Sequence, residues 1–157
     1  MKPRVNVFEK GQRALKSLNS LGAYLGKSVV EQSLLHLIYF RVSQINGCAF
    51  CLDMHSKDLR AAGEAEHRLY VLNAWREAAF YTSRERAALA FAEALTTLGH
   101  GAISDALYEE VRAQFSEEEL VDLTFAIIAI NSYNRVNLAF PNPQAVGTYT
   151  PGQFAGN

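Results

Sequence analysis

Between residues 4 and 140 the chain contains no proline; its four prolines are Pro3, Pro141, Pro143 and Pro151. Proline fixes φ, lacks a backbone donor and clashes with the preceding helical turn, so so long a proline-free stretch fits a nearly continuous succession of helices. Strand signals are weak in the same region. No alternating β-branched run occurs, and Asn46-Gly47 precedes a helical pattern instead of joining two strands. The expected fold class is all-α, a helical bundle.

Hydrophobic spacing and capping signals predict helices over about 7–26, 30–45, 48–62, 67–75, 83–98, 104–114 and 117–140. In the second, Leu34, Leu35, Ile38, Val42 and Ile45 form one stripe, and Leu37, Tyr39 and Phe40 make its other sides apolar too. Gly26 and Gly63 close helices, and Gly99 and Gly101 break one. Thr82-Ser83-Arg84-Glu85 and Ser116-Glu117-Glu118-Glu119 have capping-box spacing, and Ser104 opens a further helix. The last helix is apolar on most sides from Leu120 to Ile130, which suits either the core or a subunit contact. From Pro141 the chain is expected to be an extended tail. With no internal repeat or linker, residues 1–157 read as a single domain with a core over about 30–140 and a tail over about 141–157.

The composition is globular, with 49% apolar and 20% charged residues. A net charge of −1 offers no basic bias toward nucleic acid or anionic membranes, so neither is an expected partner. The longest apolar stretch, Phe125 to Ile130, falls far short of the roughly 20 residues that span a bilayer. No apolar h-region follows Met1, so a cytoplasmic protein is expected.

The two cysteines stand three residues apart in Cys48-Ala-Phe-Cys51-Leu-Asp-Met-His55. A pair this close closes almost no loop and adds little to fold stability, which leaves redox or metal chemistry. On a helix, Cys48, Cys51 and His55 fall at i, i+3 and i+7, on one face. His55 is then placed to take or hold the Cys51 proton, the two cysteines are within reach of a disulfide, and a helix beginning near Gly47 favours thiolate in its first turn. These parts suit a cycle in which thiolate is oxidised to sulfenic acid by a peroxide, condenses with the second thiol, and is restored by an external dithiol. Two other readings stay open. Structural zinc needs a fourth ligand from His36, His67 or His100, and the cysteines could instead be inert and buried beside a surface histidine. No cofactor and no resident metal are expected.

Arg41-Val-Ser-Gln-Ile-Asn-Gly-Cys48-Ala-Phe-Cys51-Leu-Asp-Met-His55 resembles the core of the AhpD-like alkylhydroperoxidases of the carboxymuconolactone decarboxylase superfamily. Weaker matches extend through Arg60-Ala-Ala-Gly63, Ala74-Trp75-Arg76-Glu77, Glu85 to Leu89 and Ala129 to Arg135, so the likeness covers about residues 30–140. The resemblance implies an all-α fold, a trimeric or hexameric homo-oligomer, a peroxide substrate and a dithiol reductant. It also implies that Cys51 is peroxidatic, Cys48 resolving and His55 part of a proton relay. The helix dipole argues instead for Cys48 as the more acidic thiol, whereas the i,i+4 histidine favours Cys51.

One position departs from the family pattern. Twelve residues before Cys48, where peroxide-reducing members carry glutamate, this chain has His36, with Tyr39, Phe40 and Ser43 roughly on its face. A neutral imidazole accepts a proton but supplies no negative charge. His36 therefore reads either as an altered relay partner or as a hydrogen-bonded buried histidine, and Glu31 has no spacing that would let it substitute. Other stretches carry less. Gly22 to Ser28 lacks the spacing and the preceding strand of a phosphate loop. Trp75 with Arg76 and Glu77 reads as a packing corner. Asn131, Tyr133, Asn134 and Arg135 read as bonds to a neighbouring helix or subunit, and Asp53 with Lys57 as an exposed ion pair. Within the same superfamily, non-redox decarboxylation of a small lactone acid is a competing activity that has no need of a dithiol. A non-catalytic protein with a redox-switch cysteine pair is a third reading.

Overall fold

A computed structural model describes residues 4–99, 101 and 103–154. The described residues are helical with no strand. In chain order the helices are α1 (Val7–Lys10), α2 (Gln12–Leu25), α3 (Gln32–Asn46), α4 (Ala49–Ala61) and α5 (Glu66–Tyr70). A 3-10 segment (Leu72–Glu77) leads to α6 (Ser83–Thr96), α7 (Asp105–Arg112) and α8 (Glu117–Ala139).

Local chemistry explains most boundaries. Thr82 and Ser116 each accept from the backbone N–H three residues on, and Glu85 and Glu119 return the bond, completing two capping boxes. Ser104 caps α7 in the same way without the return bond. Gly47 ends α3 in the left-handed region, at φ 68°, and its freedom there lets the chain reverse directly into α4.

The helix expected over 7–26 is instead two helices broken at Gly11. A β-carbon at Gly11 would lie 2.7 Å from the Val7 carbonyl oxygen, so this close approach needs glycine.

Helix α3 is the central element, packed against α4, α6 and α8. It buries residues on several sides, Leu34, Leu35, Leu37, Ile38, Phe40 and Val42 among them, while Ile45 is only half-buried. Facing it are Ala87, Ala88 and Leu89 of α6 and Leu123, Ala126, Ile127 and Ile130 of α8, in one continuous core that α2 extends with Leu25. Helix α8 has two characters. Its core face is buried, but Val121, Phe125 and Ile128, at i, i+4 and i+7, are about half exposed.

Two polar hubs brace this core. Buried Asp122 accepts from Tyr24 Oη at 2.6 Å, Ser28 Oγ at 2.6 Å and the Val29 N–H, joining the end of α2 to α8. Glu93 accepts from Trp75 Nε1 at 2.9 Å and pairs with Arg41 at 2.7 Å and with Arg76, tying the 3-10 segment to α3 and α6. Arg76 also lies over the indole ring, so Trp75 is the packing corner its sequence suggests.

The tail is not extended. A 3-10 turn at Pro143–Ala145 leads into turns that fold back on α4. Asp53 and Lys57 are accordingly more than an exposed pair. Lys57 Nζ donates to the carbonyls of Gly147 and Tyr149, and Asp53 accepts from the Gly147 N–H at 2.9 Å. Buried Tyr149 donates its phenol to Asp58 at 2.8 Å, and the Gly152 N–H reaches the same carboxylate.

Candidate functional site

The turn from α3 into α4 carries the cysteines, and polar side chains of α8 hold it. Asn46 Nδ2 donates to Oδ1 of Asn131 at 3.0 Å and of Asn134 at 2.9 Å. Asn134 Nδ2 donates to Ser43 Oγ, and the Cys48 N–H reaches the Ser43 carbonyl. Asn131 and Asn134 thus bond a neighbouring helix within the chain, and the network sets where Cys48 sits.

Cys48 is the N-cap residue of α4, not its first helical residue. Its backbone is extended, at φ −85° and ψ 96°. The one-face helical spacing therefore holds for Cys51 and His55, one turn apart inside α4, but not for Cys48. The two sulfurs nevertheless lie at disulfide distance, with Cα atoms 5.4 Å apart, inside the range a disulfide accepts. Both cysteines are buried, 1% exposed, at the positive end of α4. Among the described residues, the one side-chain donor to either sulfur is Asn137 of α8, whose Nδ2 lies 3.4 Å from Cys51 Sγ.

His55 is buried, which removes the reading of a surface histidine beside inert cysteines. His36 of α3 comes to it, with ring centroids 5.8 Å apart, and Tyr39 approaches His55 to 5.2 Å and His36 to 5.8 Å. The chain fold thus brings His36 to His55, and Cys48 to Cys51, while neither His55 ring nitrogen makes a hydrogen bond to a sulfur. Burial pushes the His55 imidazole down to about 3, and the nearby His36 adds to the effect, so His55 is neutral at physiological pH. Burial lowers His36 as well, with the Asp58 carboxylate acting in the opposite sense. Burial raises the Tyr39 phenol, which stays protonated.

Among the described residues, His36 Nδ1 and both ring nitrogens of His55 are buried without a hydrogen-bond partner. Asp58 completes the cluster: one ligand atom each from His36, His55 and Asp58 lie within 4.8 Å of one another. His67 packs its ring on Phe80, and His100 lies outside the described residues.

Sequence reasoning missed Asn137, Asp58 and Tyr149. For Asn137 a signal was present, since Asn131, Asn134 and Asn137 recur every third residue along the last helix and so lie toward one side of it.

Comparison with known proteins adds to this geometry. The model of the carboxymuconolactone decarboxylase family matches residues 11–94. The uncharacterised protein YdfG of Bacillus subtilis is 41% identical over 145 residues, covering 92% of this chain and 99% of its own. A solved structure from Agrobacterium tumefaciens, of a protein of unknown function proposed to be the antioxidant defence protein AhpD, superposes with a TM-score of 0.84. It is 41% identical, over 88% of this chain and 95% of its own. An uncharacterised peroxidase-related protein from Silicibacter sp. is 26% identical with a TM-score of 0.73, over 85% of this chain and 72% of its own.

Proposed function

This chain belongs to the carboxymuconolactone decarboxylase family, in its AhpD-like branch, and on that premise we propose that it is a thiol-dependent peroxidase. The observation that carries the proposal is the Cys48–Cys51 pair at disulfide distance, at the start of the helix that also bears His55.

Cys51 is the nucleophile. Its thiolate attacks a peroxide oxygen, the O–O bond breaks, and the departing alkoxide or hydroxide takes a proton. The sulfenic acid so formed condenses with the Cys48 thiol, giving the disulfide and water. An external dithiol then exchanges twice with the disulfide, becoming a disulfide itself and leaving two thiols. The peroxide gains the two electrons that the dithiol loses.

His55 accepts the thiol proton. Because burial opposes a resting charge on that ring, the proton moves on, and His36 is the next titratable group at hand. His36 thus takes the relay position of the family carboxylate without supplying its charge. The thiolate is instead favoured by Asn137 and by the end of α4.

Burial of both sulfurs favours a second reading, a redox switch with negligible turnover. The deciding experiment measures peroxide consumption with a dithiol reductant and, beside it, thiol mass before and after one equivalent of peroxide. Turnover that falls in Cys51→Ser and His55→Ala supports the peroxidase. A stoichiometric disulfide without turnover supports the switch, and variants as active as wild type remove the proposed roles.

The working assembly is a homo-oligomer, trimer or hexamer, using the half-exposed Val121, Phe125 and Ile128 stripe of α8 as a contact. Its proposed compartment is the cytoplasm, where such a pair is kept reduced. Among the described residues no helix is long and apolar enough to cross a membrane.

A further inference from the structure

We propose that His36, His55 and Asp58 form a binding site for one divalent first-row transition-metal ion of the zinc and ferrous class. The site stands apart from the question of peroxide turnover.

Two elements converge to make it. Helix α3 supplies His36, and α4 supplies His55 and Asp58 one turn apart on the same face. Two imidazoles and one carboxylate are a donor set that such ions prefer, and three protein ligands leave a position open for water or a small anion. The ligand atoms already lie within 4.8 Å of one another. Metal bonds of about 2.1 Å bring donors to about 3–3.5 Å, a closure that small side-chain rotations supply.

The second observation is the state of the nitrogens. Three of the four ring nitrogens in this pair are buried without a partner among the described residues. Buried polar atoms are rarely left so, and a lone pair directed at a cation is one of the few arrangements that satisfies a buried neutral imidazole. The carboxylate is prepared in a matching way. Asp58 is in no ion pair among the described residues, so its charge is available, while the Tyr149 phenol at 2.8 Å and the Gly152 N–H at 3.2 Å hold it in orientation. Metal ligands are commonly held by such outer partners. His36 is only partly buried, which gives an ion a way in.

Occupancy takes up the His55 lone pair, one helical turn from Cys51.

The test uses full-length, chelator-stripped protein with the cysteines oxidised, so that no thiolate contributes. Cobalt(II) is titrated and followed by its visible ligand-field absorption, then displaced by zinc. The expected result is one equivalent per chain, with affinity reduced at least about tenfold in His36→Gln and in Asp58→Asn. Paramagnetic broadening by cobalt in wild-type protein, read by NMR, is expected to centre on residues 36, 55 and 58, and needs no variant to fold. No saturable binding, wild-type affinity in either variant, or broadening centred elsewhere overturns the proposal.

Discussion

Replacing Asn137 by leucine, in a Cys48→Ser background that leaves Cys51 the sole thiol, tests what stabilises the reacting sulfur. Asn137 Nδ2 lies 3.4 Å from Cys51 Sγ and is its only side-chain donor among the described residues. A hydrogen bond to a charged acceptor contributes about 1.5–3 kcal/mol, and sulfur, a weak acceptor, puts this one at the lower end. At about 1.36 kcal/mol per unit, losing it raises the Cys51 pKa by about one unit. Thiolate near neutral pH then falls about tenfold. Each remaining thiolate is more basic and, at a Brønsted coefficient of about 0.4–0.5, reacts about threefold faster. The net expectation is a rate about threefold lower at neutral pH and about threefold higher above both pKa values. Thiolate absorbance against pH gives the shift, and exchange with a small neutral disulfide gives the rates. The signature is a pair of pH–rate profiles that cross. Superimposed profiles refute the electrostatic argument, and so does a parallel drop at every pH, which would mark a change in packing or access.

Glu93→Gln leaves Arg41, whose side chain is 14% exposed, without its counter-charge, and should cost about 2 kcal/mol in urea unfolding, less than the roughly 3–5 of a fully buried pair. Burial alone would raise the Glu93 carboxyl, but the bonds from Trp75, Arg76 and Arg41 outweigh it and hold the group below its ordinary value. Its contribution is therefore present above the ordinary carboxylate range and lost as pH falls through the folded value, so the gap between wild type and Glu93→Gln should close in acid. A gap that widens as pH falls would contradict this sign. Ser116→Ala removes the α8 capping box and should lower stability by about 1 kcal/mol in thermal or urea unfolding. Tyr149→Phe frees Asp58 and loosens the tail, so hydrogen exchange at the Gly152 amide should accelerate while core α3 amides stay protected. Unchanged exchange at Gly152 would mean the phenol does not hold the tail.

Features that depend on a few neighbouring residues were legible in the sequence. The capping boxes at Thr82 and Ser116, the stop at Gly47 and the helical placement of Cys51 and His55 all follow from short-range bonding rules. Cys48 fell outside that reach by one position, because hydrophobic spacing does not distinguish an N-cap from a first helical turn. The break at Gly11 turns on a single β-carbon contact with Val7, which periodicity does not register. Asp53, Lys57 and Asp58 look solvent-exposed because the groups that bond them stand some 90 residues away, as the separation of 91 between Asp58 and Tyr149 illustrates. The meeting of His36 with His55 rests on how α3 crosses α4, a tertiary fact that spacing along either helix does not contain.

The folded-back tail also sets an order of events during synthesis. Asp53, Lys57 and Asp58 leave the ribosome long before residues 147–152, which supply their backbone and phenol partners. Chains fold from the N-terminal side as they emerge, and contacts between distant residues wait for both ends. On the nascent chain, then, α3 and α4 can pair while the outer side of α4 is still bare, and the turn that carries Cys48 waits for Asn131 and Asn134 of α8. Asp53, Lys57 and Asp58 meet solvent through that interval and find their partners only when the tail arrives.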